Sequence, residues 1–166
     1  MPAASPDEAA AVARLLAAAL ATIDEVPFCW VITPGGNGGA NARVVKCQRS
    51  DAGDDGWTRW FLTPRIGRKS GEISAAGRVT LAYQHTSGNA YVALAGPAEL
   101  IDDRDAVDVR FRGSIYDDPE GKVATSLIAV RVRACTCAAS PTSHGGAGAR
   151  CSTALPMAAG AAAARA

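Results

Sequence analysis

The chain has 166 residues, enough for one domain with a substantial core, or for a smaller domain and a tail. Seventeen basic against sixteen acidic residues leave a net charge of +1, so no broad field draws nucleic acid or an anionic membrane, and an anionic ligand must be held by a local group of cations. The five cysteines, Cys29, Cys47, Cys135, Cys137 and Cys151, form an odd set without framework spacing, which points to a reduced, cytoplasmic setting; the Cys135/Cys137 pair is too short a motif, with no completing pair, to specify a metal site.

Ser5-Pro6-Asp7-Glu8 opens a helix: Ser5 caps, Pro6 suits the first helical position and Glu8 closes a capping box. Val12, Leu15, Leu16 and Ile23 then give it one apolar stripe, suited to packing on a sheet. The run Leu15 to Ala21 resembles a signal-peptide core, but Asp7 and Glu8 sit where such a leader carries positive charge, and the run is too short to span a bilayer. No other segment reads as transmembrane.

From Phe28 the pattern becomes that of strands. FCWVIT is short, apolar and β-favouring, the glycine-rich PGGNGG forces a turn, and Ala42 to Gln48 returns as a second strand. After the polar SDAGDDG loop, Trp57 to Thr63 is a third strand. Arg68 to Ala76 is a short helix ended by Gly77, where a left-handed residue is wanted. Arg78 to Gln84 and Ala90 to Ile101 form a hairpin across His-Thr-Ser-Gly-Asn, and Gly96-Pro97 within its second strand marks a bulge or bend of the kind that turns a barrel corner. Asp102 or Asp103 caps a helix through about Phe111, Asp117 to Gly121 reads as a turn, and Leu127 to Val132 is a last strand.

Six strands, close hairpins and a few short helices predict a mainly β protein built as a small antiparallel barrel. Strand–helix alternation and a GxGxxG turn are both missing, which argues against a Rossmann dinucleotide site. The expected domain is 1–133. Residues 134–166, rich in Ala, Gly, Ser and Thr, offer too little apolar surface to offset ordering entropy and are expected to be mostly disordered. A shifted reading frame or a decayed end would explain that abrupt composition, a hypothesis that comparing the encoding DNA in all frames settles.

The chemistry concentrates in LTPRIGRKSGEI, Leu62 to Ile73. A strand ends at Thr63, a loop follows, and Arg68-Lys69 stands at the mouth of a helix, whose unpaired N–H groups and positive dipole end suit a phosphate. Arg68 offers a two-pronged charged donor, Lys69 a point charge and Thr63 a hydroxyl. A solvated basic turn suits the same residues. Arg43 weighs toward the anion site: strand alternation puts it on the face of Val45, and an arginine along a barrel wall needs an anionic partner.

ANARVVKCQ, WFLTPRIGRKSGEI and GRVTLAYQHTSGNAYVALAGPAELIDD, in that order, resemble successive blocks of the pyridoxamine 5′-phosphate oxidase-like superfamily, and most closely its FMN-binding general stress proteins. The resemblance covers roughly Ala9 to Val132. It implies an FMN-binding split barrel, a homodimer with FMN at the interface, and redox chemistry carried by the flavin. It also implies cofactor-binding roles: Arg43, Arg68 and Lys69 on the phosphate, Thr63 beside them, and Val44 and Val45 beneath the isoalloxazine ring. Tyr91 falls where some relatives place a glutamine near the flavin. Gly67 stands where relatives usually carry a serine, so one hydroxyl donor is lost. The C-terminal Arg and His that hold the vitamin substrate in true oxidases have no match after Val132, where His144 stands alone among glycines, so oxidation of pyridoxamine phosphate is not expected. A flavin-sequestering stress protein without turnover, and a deazaflavin- or haem-binding relative on the same fold, remain open readings.

Trp30, Trp57 and Trp60 read as barrel-core aromatics, Trp30 above all. His85, in a hairpin turn, has no Ser or Cys partner suggesting a general base. The acidic group Asp102, Asp103, Asp105 and Asp108 reads as caps and a solvated helix face rather than a cation site.

Overall fold

The computed structural model describes residues 5–36, 38–48, 56–85, 90–103, 105, 107, 111, 127–134, 136–140 and 151–154. The elements in chain order are α1 (Pro6–Glu25), β1 (Phe28–Pro34), β2 (Ala40–Gln48), β3 (Thr58–Pro64), α2 (Arg68–Ala76), β4 (Arg78–Gln84), β5 (Tyr91–Ile101), β6 (Leu127–Arg133), β7 (Thr136–Ser140) and β8 (Cys151–Ala154). All strand pairings are antiparallel. The order β4-β1-β2-β3-β6-β5 closes on itself through β4–β5, which makes a six-stranded barrel and leaves no edge within that ring.

Local chemistry sets the element ends. The Ser5 hydroxyl accepts from the Glu8 amide at 3.2 Å while Glu8 accepts from the Ser5 amide at 3.0 Å, the capping box expected for α1. Gly77 closes α2 in the left-handed conformation, φ 60°. Ala19 and Ile23 of α1 join a core with Cys29, Val31, Phe61, Leu81, Leu94, Val130 and Val132. A second, smaller cluster lies on the other face of β3, where Trp60 and Leu62 meet Val107, Phe111 and Ala129. This accounts for β3 being buried on both faces along nearly its whole length. Asp103 caps the helical residues that follow, its carboxylate accepting from the Asp105 amide at 3.0 Å. Asp108 and the turn at 117–121 lie outside the described residues.

At Gly96-Pro97 the expected bend is present and has a function in the topology. On one edge β5 pairs with β7 over Tyr91–Ala95 and with β6 over Ala98–Ile101, so the partner changes across this dipeptide. A Cβ at Gly96 would overlap the Arg133 carbonyl oxygen, so the crossing backbones leave room only for glycine.

Within 134–166 the described residues include β7, which pairs with β5, and β8, which pairs with β7, so the sheet continues past 133. β7 gains its place from main-chain ladder bonds along the edge of β5, with Cys137 buried in the core. Trp30 is not core: it is 48% exposed, whereas Trp57 and Trp60 are buried. Alternation along β1 sends Cys29, Val31 and Thr33 inward and Phe28 and Trp30 outward. Among the described residues no helix is long and apolar enough to cross a membrane.

Candidate functional site

Arg43 sits on β2 opposite Val31 of β1, and Asn41 opposite Thr33. Alternation points Asn41, Arg43 and Val45 to the inner side. The short loop from Pro64 to Gly67 brings α2 back over that mouth. Ser70 fastens the loop, its hydroxyl donating to the Gly67 carbonyl at 2.9 Å and to the Arg65 carbonyl at 3.1 Å. Arg65 is held in turn by an ion pair with Asp102.

These elements converge on Glu72, a residue that sequence reasoning missed. Its Oε2 accepts from the buried Thr33 hydroxyl at 2.6 Å and its Oε1 from Asn41 Nδ2 at 2.8 Å. Arg43 Nη1 lies 3.8 Å from Oε2, and Arg68 Nε lies 3.5 Å from Oε1. The signal was available in the i,i+4 spacing of Arg68 and Glu72 on one helix face. The partners on β1 and β2 were legible only once the register placed Thr33 against Asn41.

Lys69 completes the group. Its ammonium lies 6.0 Å from the Phe61 ring centroid, and its pKa is lowered, first by burial and then by the neighbouring Arg43 charge. Arg43, Arg68 and Lys69 against one carboxylate leave a local excess of two positive charges. Thr63 shares with Phe61 the inward face of β3, is 1% exposed, and its hydroxyl has no hydrogen-bond partner among the described residues. The N-terminus of α2 carries no side-chain cap and no acidic residue in its first turn. Anion-seeking donors therefore come from three separate segments of chain.

Solved structures share this architecture at low sequence identity. A protein related to general stress protein 26 of Bacillus subtilis (pyridoxinephosphate oxidase family), from Clostridium acetobutylicum, superposes with TM-score 0.71 at 15% identity, covering 86% of this chain and 95% of that one. A pyridoxamine 5′-phosphate oxidase-related, FMN-binding protein from Nostoc punctiforme gives 0.57 at 12% identity, covering 94% and 100%. The fold is the FMN-binding split barrel. A haem-binding protein from Mycobacterium smegmatis shares it, with TM-score 0.61 at 16% identity, covering 82% of this chain and 56% of that one. No protein-family model and no curated protein sequence matches the chain.

Within the split barrel, the residues expected to bind a cofactor divide by position. Arg43, Arg68 and Lys69 are brought together at the α2 mouth, and Thr63 stands on the face Lys69 covers. Val45 is buried in the core at 8% exposure, whereas Val44 points outward and is 52% exposed, paired across the sheet with Trp30. Tyr91 is also on the outer surface. His85 is engaged with Glu25, Nε2 to Oε2 at 3.0 Å, tying the end of β4 to the end of α1. His144 lies outside the described residues.

Proposed function

We propose that the protein is a cytoplasmic FMN-binding flavoprotein of the general stress protein type, working as a homodimer with the flavin at the interface and catalysing a flavin-dependent oxidation–reduction other than oxidation of pyridoxamine phosphate. The observation that carries this reading is the crowding of Arg43, Arg68 and Lys69 at the uncapped start of α2, together with a buried Thr63 hydroxyl that has no hydrogen-bond partner among the described residues.

This donor chemistry fits a phosphate monoester. Arg68 and the first amides of α2 hold its outer oxygens, Lys69 gives a point charge, and Thr63 donates a hydroxyl. Glu72 fixes the Arg43 guanidinium on β2, so that the cation is oriented before any ligand arrives. A dianion also relieves the like-charge repulsion between Lys69 and Arg43, which adds to burial in lowering the Lys69 pKa. Bound FMN supplies the electron transfer; the protein binds it, orients it and limits access to its ring.

The dimer reading is supported by an outer sheet face that alternation fills with apolar side chains. Phe28, Trp30 and Val44 are each about half exposed there, with Ala82 and Ala93 on the same row as Trp30. A second copy that covered this face would remove that apolar area from water.

The test is direct. Purified protein is expected to be yellow or to take up FMN stoichiometrically, and bleaching of the bound flavin by reduced nicotinamide separates turnover from sequestration. A preparation that ignores FMN but develops a Soret band with haem overturns the flavin reading in favour of haem binding.

A further inference from the structure

Cys29 and Cys47 stand apart from the cation cluster. Cys29 is opposite Val45 on the β1–β2 ladder, and the Cys47 amide donates to the Pro27 carbonyl at 3.0 Å, so both side chains point to the same inner face. Their Sγ atoms are 3.1 Å apart, inside ordinary van der Waals contact for two sulfurs and only about 1 Å beyond a disulfide bond length.

Access to the two thiols is unequal. A cleft of about 320 Å³ is lined by Asp24, Pro27, Cys47, Arg59 and Tyr83 among others, so Cys47 forms part of its wall. Cys29 is 2% exposed and lies behind it. Arg59, buried and paired with Asp24 at 3.6 Å, brings a positive charge to the same wall. The Tyr83 hydroxyl is buried beside both sulfurs and makes no hydrogen bond among the described residues, so it can donate to a sulfur that ionises.

We propose that Cys29 and Cys47 form a reversible dithiol–disulfide site in which Cys47, at the cleft wall, reacts with a small hydroperoxide and Cys29 then closes the bond. The Cys47 thiolate attacks the terminal peroxide oxygen, the O–O bond breaks, and the alcohol or water leaves with a proton from solvent, giving Cys47 sulfenic acid. The Cys29 thiol attacks that sulfur and the sulfenic oxygen leaves as water, so two electrons pass from the thiols to the peroxide. A dithiol reductant reverses the step. The electrostatics favour this division of roles. The sulfur–sulfur contact with Cys29 is the largest influence on the Cys47 pKa and lowers it, with Tyr83 and Arg59 acting the same way against the opposing effect of burial, whereas the Cys29 pKa is raised, first by its contact with Cys47 and then by burial. The site stands whether or not the protein binds FMN.

The full-length chain, reduced and then treated with a slight excess of hydrogen peroxide, is alkylated and digested with trypsin. The expected product is the peptide Leu15–Arg43 joined by a disulfide to the peptide Cys47–Arg49, reversible by dithiothreitol. Cys47→Ser abolishes the product and leaves Cys29 alkylated, and Cys137→Ala leaves it in place. Recovery of Cys29 and Cys47 both alkylated overturns the proposal, as does Cys47 oxidised with Cys29 still a thiol, or either one joined instead to Cys135, Cys137 or Cys151.

Discussion

Glu72 decides how the cations at the α2 mouth are arranged, because four side chains from three elements use its two oxygens. Removing it leaves Thr33, 1% exposed, and Asn41 without their shared carboxylate acceptor, and brings Arg43, Arg68 and Lys69 together with nothing between them. Glu72→Ala is therefore expected to cost about 2 kcal/mol of stability, read as a lower urea midpoint at constant m-value. A midpoint unchanged from wild type would show that these contacts are solvent-screened and carry no weight. At this scale the sequence was informative about charge and less so about partners. Arg43, Arg68 and Lys69 could be singled out from residue type and position, and the Arg68–Glu72 pair has local i,i+4 spacing, but the Arg43 contact with the same carboxylate depends on a strand register no local pattern encodes.

Among the elements, α2 and β4 were legible to the residue, because Gly77 punctuates their junction and each side of it has a clean period. β7 was not, since its placement rests on main-chain pairing with β5 rather than on any apolar pattern in 134–166. The size and apolarity of Trp30 favour the core, and alternation along β1 overrides that preference. The β5 bend carries the sharpest steric constraint of the fold. Gly96→Ala drives a methyl group into the Arg133 carbonyl where β5 exchanges β7 for β6, and is expected to destabilise by about 3 kcal/mol in chemical denaturation. A variant as stable as wild type would mean that β6 and β5 can separate at that point without loss.

For the whole molecule, the barrel interior is closed while one outer sheet face stays apolar around Trp30 and Val44. If a second copy covers that face, Trp30→Asp yields a folded monomer by sedimentation, with an unchanged far-ultraviolet spectrum; a wild-type chain that is itself monomeric at high concentration would contradict the dimer. The central claim is that Arg43, Arg68 and Lys69 form a phosphate cradle, and comparing FMN with riboflavin isolates it, since the two ligands differ only in that group. Wild-type protein is expected to bind FMN far more tightly than riboflavin. Arg68→Ala is expected to weaken FMN alone, by about 1.5–3 kcal/mol or roughly ten- to a hundredfold in Kd. Equal affinity of the wild-type protein for the two ligands would contradict the account.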